Sequence, residues 1–148
     1  DNFARKHEYA WCYSKGEKFL FNANDIRIER KVKKNLRTGK AHTQGTIPTC
    51  VWEKNNHTTS KEFIGWHPTT KNVEILERII KAYTNVGDVV LDCFVGSGST
   101  AVASIRTGRE YLGCEKSKEY YTKAKERIAT TEQTVTSKVS KATLASIL

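Results

Sequence analysis

Apolar residues recur along the second half of the chain at two alternating periods. Val73, Leu76, Ile79, Ile80 and Tyr83 fall three and four positions apart, which places them on one side of a helix. Asn85-Val86-Gly87-Asp88 then carries turn chemistry, and the run Val89-Val90-Leu91 reads as a short strand. A second helix is expected through Ala101 to Ile105, where small residues allow close packing on a strand, and Gly108 marks its end. Tyr111-Leu112-Gly113-Cys114 predicts a second strand. Ser117 with Tyr120, Tyr121, Ala124 and Ile128 predicts an N-capped amphipathic helix. Helix, strand, helix, strand, helix in this order indicates a right-handed α/β unit. Upstream, Glu8 to Tyr13 reads as a buried strand followed by a turn at Ser14-Lys15-Gly16.

The candidate chemistry sits between the first strand and the second helix, where residues 92 to 100 read Asp-Cys-Phe-Val-Gly-Ser-Gly-Ser-Thr. An open α/β sheet binds ligands at the carboxyl ends of its strands. Glycines there let the backbone approach the ligand while the next helix presents its free N–H groups. A second acid, Glu115, follows the second apolar run. Gly96 to Ala101 also fits Gly-x-Gly-x-x-Ala, the dinucleotide fingerprint, with Glu115 near the place of a ribose-binding acid. Asp92 argues against a pyrophosphate, because a carboxylate at the strand end repels it, whereas S-adenosylmethionine brings an ammonium and a sulfonium. A P-loop is excluded, since no Gly-x-x-x-x-Gly-Lys-Ser/Thr occurs. Taken singly, the glycines make a tight turn and Glu115 is a solvated acid stabilised by a helix dipole.

Together with His67-Pro68-Thr69-Thr70-Lys71, these segments resemble the circularly permuted β group of amino (N6-adenine or N4-cytosine) DNA methyltransferases. The resemblance covers Trp66 to about Ile128. Asp92, Phe94, Gly96, Ser97, Gly98 and Thr100 match the family's Asp-Pro-Phe-x-Gly-Ser-Gly-Thr-Thr. His67, Pro68, Thr69 and Lys71 match His-Pro-Thr-Gln-Lys-Pro, with Thr70 in place of Gln and Asn72 in place of Pro. The resemblance implies an α/β fold, a partial S-adenosylmethionine-dependent methyltransferase (Rossmann-like) sheet with an inserted recognition region. It implies that the cofactor S-adenosylmethionine is bound by His67, Pro68, Thr69, Lys71, Asp92, Phe94, Gly96, Ser97, Gly98 and Glu115, with Lys71 on its carboxylate and Glu115 on the ribose. Along the chain it implies an end of the catalytic half at 1–21, where Arg5-Lys6-His7-Glu8 is similar to the closing segment, and a target-recognition region at 22–65. A cofactor-binding part at 66–130 and a polar tail at 131–148 follow.

Charge sharpens the partner. The chain has a formal net charge of +9, which favours a polyanion. Arg27, Arg30, Lys31, Lys33, Lys34, Arg37 and Lys40 stand against the single acid Glu29 in the implied recognition region. A charge run by itself is more often a solvated surface, but beside these motifs it points to double-stranded DNA. Asn55, Asn56, His57, Trp52 and Trp66 are candidates for base contacts, and the two tryptophans are also natural packing residues.

The family polarises its target amine with Asp-Pro-Pro-Tyr or Ser-Pro-Pro-Tyr. The prolines of this chain are Pro48 and Pro68, neither in such a context. No catalytic residue is therefore assigned here. In the permuted order the tetrapeptide lies upstream of Asp1, so the expectation is a fragment, or a non-catalytic subunit of a split methyltransferase that joins a partner carrying the missing N-terminal catalytic part. A second copy of the chain is a further candidate partner, and a nicotinamide-dependent oxidoreductase fragment is the rival reading. Cys12, Cys50, Cys93 and Cys114 form no Cys-x-x-Cys pair, so neither a metal site nor a disulfide framework is indicated. With no signal peptide or apolar run of membrane length, a cytoplasmic protein of bacterial, archaeal or phage origin is expected.

Overall fold

The computed structural model describes residues 8–31, 34, 35, 37–52 and 64–145. Its regular elements follow the order α1 (Val73–Tyr83), β1 (Val89–Asp92), α2 (Ser99–Arg106), β2 (Glu110–Gly113) and α3 (Lys118–Ala145). β1 and β2 pair in parallel, with Val89 opposite Glu110 and Asp92 opposite Gly113. Parallel neighbours cannot be joined by a tight turn, and α2 is the crossover that returns the chain to the start of β2. The carboxyl ends of both strands thus fall side by side.

Local chemistry sets the boundaries. Asn72, where the family has Pro, caps α1 by accepting the Ile75 N–H at 3.1 Å, so a side-chain oxygen does the work of a preset φ. Beyond α1, Asp88 Oδ2 accepts the Asn85 N–H at 2.7 Å and Gly87 adopts φ 86°, which closes the turn into β1. Gly108, at φ 74°, ends the chain reversal after α2. Val73, Ile80, Val102 and Ala103 are buried together, with Leu76 and Val90 packed against them, so α1 and α2 share one core. Strand side chains alternate in direction. Val90 accordingly turns to this core, while Val89, Leu91 and Leu112 remain 58, 62 and 63% exposed on the other side of the sheet.

The upstream region is built differently. Asn22 donates its N–H to Ala82 O at 2.8 Å and its Nδ2 to Thr84 O at 2.9 Å, while the Phe21 ring lies 5.6 Å from that of Tyr83. These contacts seat the chain on the end of α1, beside a 3-10 turn at Ala23–Ile26. Antiparallel bridges at Ile28 with Thr46 and Lys34 with Ala41 fold residues 28 to 46 back on themselves. The tip is closed by Asn35, whose Oδ1 accepts the N–H groups of Arg37 and Thr38, both at 3.0 Å. Glu8 to Tyr13 is not the buried strand expected of it. Tyr9, Trp11 and Tyr13 are exposed and no ladder includes them, because among the described residues the sheet consists of β1 and β2 alone. An isolated apolar run has no ladder partner to make it a strand.

The polar stretch from Thr131 continues α3 to Ala145. It contains neither Gly nor Pro, and its hydroxyls bond back to carbonyls four residues earlier, as Thr134 does to Thr130 at 2.8 Å and Ser137 to Gln133 at 2.7 Å. Among the described residues no helix is long and apolar enough to cross a membrane.

Candidate functional site

The carboxyl ends of β1 and β2 bring the two acids to one glycine turn. Asp92 Oδ1 accepts the Phe94 N–H at 2.9 Å and its Oδ2 accepts the Thr100 hydroxyl at 2.6 Å. This carboxylate therefore spans the turn from the strand end to the first residues of α2. Glu115 closes the other side: its Oε2 accepts the Gly96 N–H and its Oε1 the Ser117 N–H, both at 2.8 Å. These two backbone donors, Ser117 first and Gly96 second, hold the Glu115 carboxyl below the usual carboxylate range against an opposing cost of burial. Glu115 is thus tied to the glycine turn as well as standing at the entrance of α3. Each acid retains free acceptor capacity, since a carboxylate offers about four lone-pair sites.

The glycines are required by geometry at two positions. Gly96 adopts φ 52°, and a Cβ there would lie 2.8 Å from His67 Nε2. Gly98 adopts φ 77°, caps α2 without a side chain, and sits where a Cβ would be 3.3 Å from Ala124 Cβ. Between them Ser97 is buried, its hydroxyl 2.9 Å from that of Ser99. Phe94, by contrast, is 89% exposed. A mostly apolar cavity of about 200 Å³ lies among the strands, α2 and α3, with Asp92, Thr100, Glu115, Tyr111, Tyr121 and Lys125 among its lining residues.

His67 reaches this turn from the segment before α1. Its Nδ1 receives the Thr69 N–H at 3.3 Å, and its ring meets that of Tyr120 edge-on at 4.6 Å. Trp66 completes the aromatic group, 6.3 Å from Tyr120, with Lys123 Nζ 5.7 Å from its ring centre. Pro68 and Thr69 form the exposed turn that follows, and Thr70 is buried with its hydroxyl donating to His67 O at 3.3 Å. Lys71 is placed differently from the others. Its ammonium pairs with Glu8 Oε2 at 2.8 Å, at a position where both side chains are largely exposed. Such an exposed pair contributes about 0–1 kcal/mol.

One residue of the site carries no motif. Arg127 on α3 donates Nη1 to Ser97 O at 2.9 Å and to Ser99 Oγ at 3.1 Å. Its trace in the sequence is its position: Tyr120, Ala124 and Arg127 fall four and three apart, which places a cation on the apolar face of α3.

The basic residues separate into two groups. Arg27 donates to Gly45 O and Asn24 Oδ1, each at 2.9 Å, and Arg30 donates to Gln44 O at 3.1 Å, so both hold the fold-back together. Lys31, Lys34, Arg37 and Lys40 are exposed toward and at its tip. Lys33, His7, Asn55, Asn56 and His57 lie outside the described residues. Trp52 is half-buried with the Arg78 guanidinium 5.1 Å from its ring centre, a packing role. The four cysteines are free, and among the described residues no group of three or more His, Cys, Asp or Glu side chains converges as a metal site.

The chain is similar to several known proteins. The type II methyltransferase M1.MboII of Moraxella bovis is 30% identical over 139 residues, covering 82% of this chain and 54% of that protein. M2.LlaDCHI of Lactococcus lactis subsp. cremoris is 46% identical over 94 residues, covering 64% of this chain and 35% of that protein. The chain thus spans about half or less of the length of these curated relatives. Among solved structures, the M1.HpyAVI–SAM complex superimposes with a TM-score of 0.47 at 32% identity, over 75% of this chain and 44% of that one. The N6/N4 DNA methylase family model matches residues 1–126, and the chain belongs to that family.

Proposed function

We propose that this chain supplies the cofactor-binding part and a DNA-contacting part of an S-adenosylmethionine-dependent DNA methyltransferase that modifies the exocyclic amine of adenine or cytosine. The observation that carries the reading is the attachment of two carboxylates, Asp92 and Glu115, to the same buried glycine turn at adjacent strand ends. Two acids with remaining lone pairs suit a ligand that offers an ammonium, a sulfonium and ribose hydroxyls. They repel a pyrophosphate, which a nicotinamide dinucleotide would place here. The chemistry of the donor set therefore fits S-adenosylmethionine, and membership of the methylase family supports it.

In this reading Asp92, Gly96, Ser97, Gly98 and Glu115 form the floor and sides of the cofactor site, and His67 and Phe94 border it. Lys71 takes the ligand carboxylate in place of Glu8. When bound, S-adenosylmethionine supplies a methyl group already activated by its sulfonium charge. The chain's residues then have little proton transfer to perform, and their contribution is to hold the donor in one orientation. The target base must be presented by a flipped nucleotide and its amine polarised by the Asp/Ser-Pro-Pro-Tyr tetrapeptide, which these 148 residues do not contain. Residues 22–65 serve as the recognition region and 66–130 as the cofactor-binding part, with Lys31, Lys34, Arg37 and Lys40 on DNA phosphates.

Calorimetric titration with S-adenosylhomocysteine tests the reading. The chain is expected to bind it and Asp92→Ala to lose binding on the order of 100-fold, as a charge-assisted contact and its local support disappear. Binding of NAD in preference to S-adenosylhomocysteine would overturn it.

A further inference from the structure

Arg127 reaches from α3 to the start of α2. Its guanidinium meets Ser97 O and Ser99 Oγ at the start of α2. A helix N-terminus carries partial positive charge, so a cation beside it gains nothing from the dipole. Here it is held by a backbone carbonyl and by a hydroxyl that is itself 2.9 Å from Ser97 Oγ, with both serines 4% exposed.

The turn it touches needs an external restraint. Gly96 and Gly98 both take positive φ, and glycine loses the most conformational freedom when it is fixed. Ser97 is the residue between them, and its carbonyl is the group that Arg127 binds. The same helix supplies the surrounding template. Ala124, three residues before Arg127, lies against Gly98, and Glu115, just before α3, takes the Gly96 N–H. Asp92 restrains the turn from β1 and Glu115 from the entrance of α3, while Arg127 restrains it from the helix body.

We infer that Arg127 is a positioning residue, which fixes the Ser97 peptide and the start of α2 in the conformation that receives the ligand. This rests on the ligand reading proposed above. The energetic reason is preorganisation: a turn already held in the bound geometry does not have to be ordered on binding. Lysine in its place retains the charge and one hydrogen bond to Ser97 O, but not a planar group able to serve two acceptors.

The test compares the 148-residue chain with Arg127→Ala and Arg127→Lys by two readouts. Calorimetry with S-adenosylhomocysteine is expected to show affinity about tenfold weaker for Arg127→Ala and partly restored in Arg127→Lys. Hydrogen exchange without ligand is expected to quicken at the amides of residues 96 to 100 in Arg127→Ala, while those of α1 keep their rates. Two results would overturn the inference: unchanged exchange at the turn with unchanged affinity, or equal weakening in both variants with exchange raised throughout the chain. A parent chain that fails to bind S-adenosylhomocysteine removes the ligand reading instead, and the exchange pattern still decides whether Arg127 sets the turn.

Discussion

Between Trp66 and Thr130 the helices share a buried core, although Val89, Leu91, Phe94 and Leu112 stay exposed, and between Glu8 and Trp52 many of the apolar side chains meet water. Val73, Ile80, Val102 and Ala103 are buried in one cluster, whereas Tyr9, Trp11 and Tyr13 are 75, 77 and 87% exposed. The difference follows from where backbone hydrogen bonds are made. α1, α2 and α3 satisfy their own interiors, so each needs only one neighbour for its apolar face, and α2 offers itself to α1, α3 and both strands. The upstream chain has no helix longer than the turn at Ala23–Ile26 among its described residues. It is held by a few bonds from Asn22 and by the rings of Phe19 and Phe21 against Tyr83. The candidate site lies wholly in the first kind of region, where a ligand can meet a surface that is already ordered.

The comparison can be broken most directly by deleting equal side chains from each region. Ile80→Ala opens a cavity in the shared core and is expected to destabilise the chain by about 3 kcal/mol. Ile28→Ala, at a position 44% exposed, is expected to cost less than about 1 kcal/mol. Urea denaturation of both variants checks the pair, and similar losses would mean that the upstream region is integrated into the same cooperative core.

A second comparison uses charge. Replacing Lys31, Lys34, Arg37 and Lys40 by alanine is expected to weaken DNA binding while leaving the affinity for S-adenosylhomocysteine unchanged. The slope of log affinity against log salt should become shallower by about 0.9 for each phosphate contact removed. Fluorescence anisotropy with duplex DNA across a salt series reads it. An unchanged slope would place the DNA elsewhere on the molecule.

The smallest effect concerns pH and is confined to the site. The Glu115 carboxyl titrates below its ordinary value of 4.5 in the fold because backbone N–H groups favour its charged form. Its contribution to stability is therefore complete above that value and is lost as pH falls through the lowered one. The stability gap between the parent chain and Glu115→Gln, measured by urea midpoints, should be largest near neutrality and narrow as pH falls below 4.5. A gap that is constant with pH would show that the two amides do not favour the charged carboxylate.

Much of the α/β half is legible in the sequence because its signals are local. The stripe from Val73 to Tyr83, the turn at Asn85 to Asp88 and the Ser117 cap each encode a conformation within a few residues, and the structure adopts all three. The placement of Asp92 beside the glycine turn is equally local, since strand, turn and helix follow one another without interruption. Glu8 to Tyr13 reads like a strand by the same local rule, yet a strand is completed by its neighbours, and no described strand lies beside it. Arg127 shows in the sequence only as a cation on the apolar face of α3, because nothing in its own neighbourhood states that its partners stand 30 and 28 residues away.

The sequence by itself determined the order of elements, the place of the glycine turn and the identity of the acids beside it, because helix periodicity, turn residues and strand ends are properties of short segments. The tertiary structure decided which groups those acids hold, that Arg127 joins them, that Lys71 meets Glu8, and that Arg27 and Arg30 brace the fold-back while their basic neighbours face outward. Those outcomes depend on the distance between residues far apart in the chain, and that distance is fixed only when β1, β2 and the helices pack.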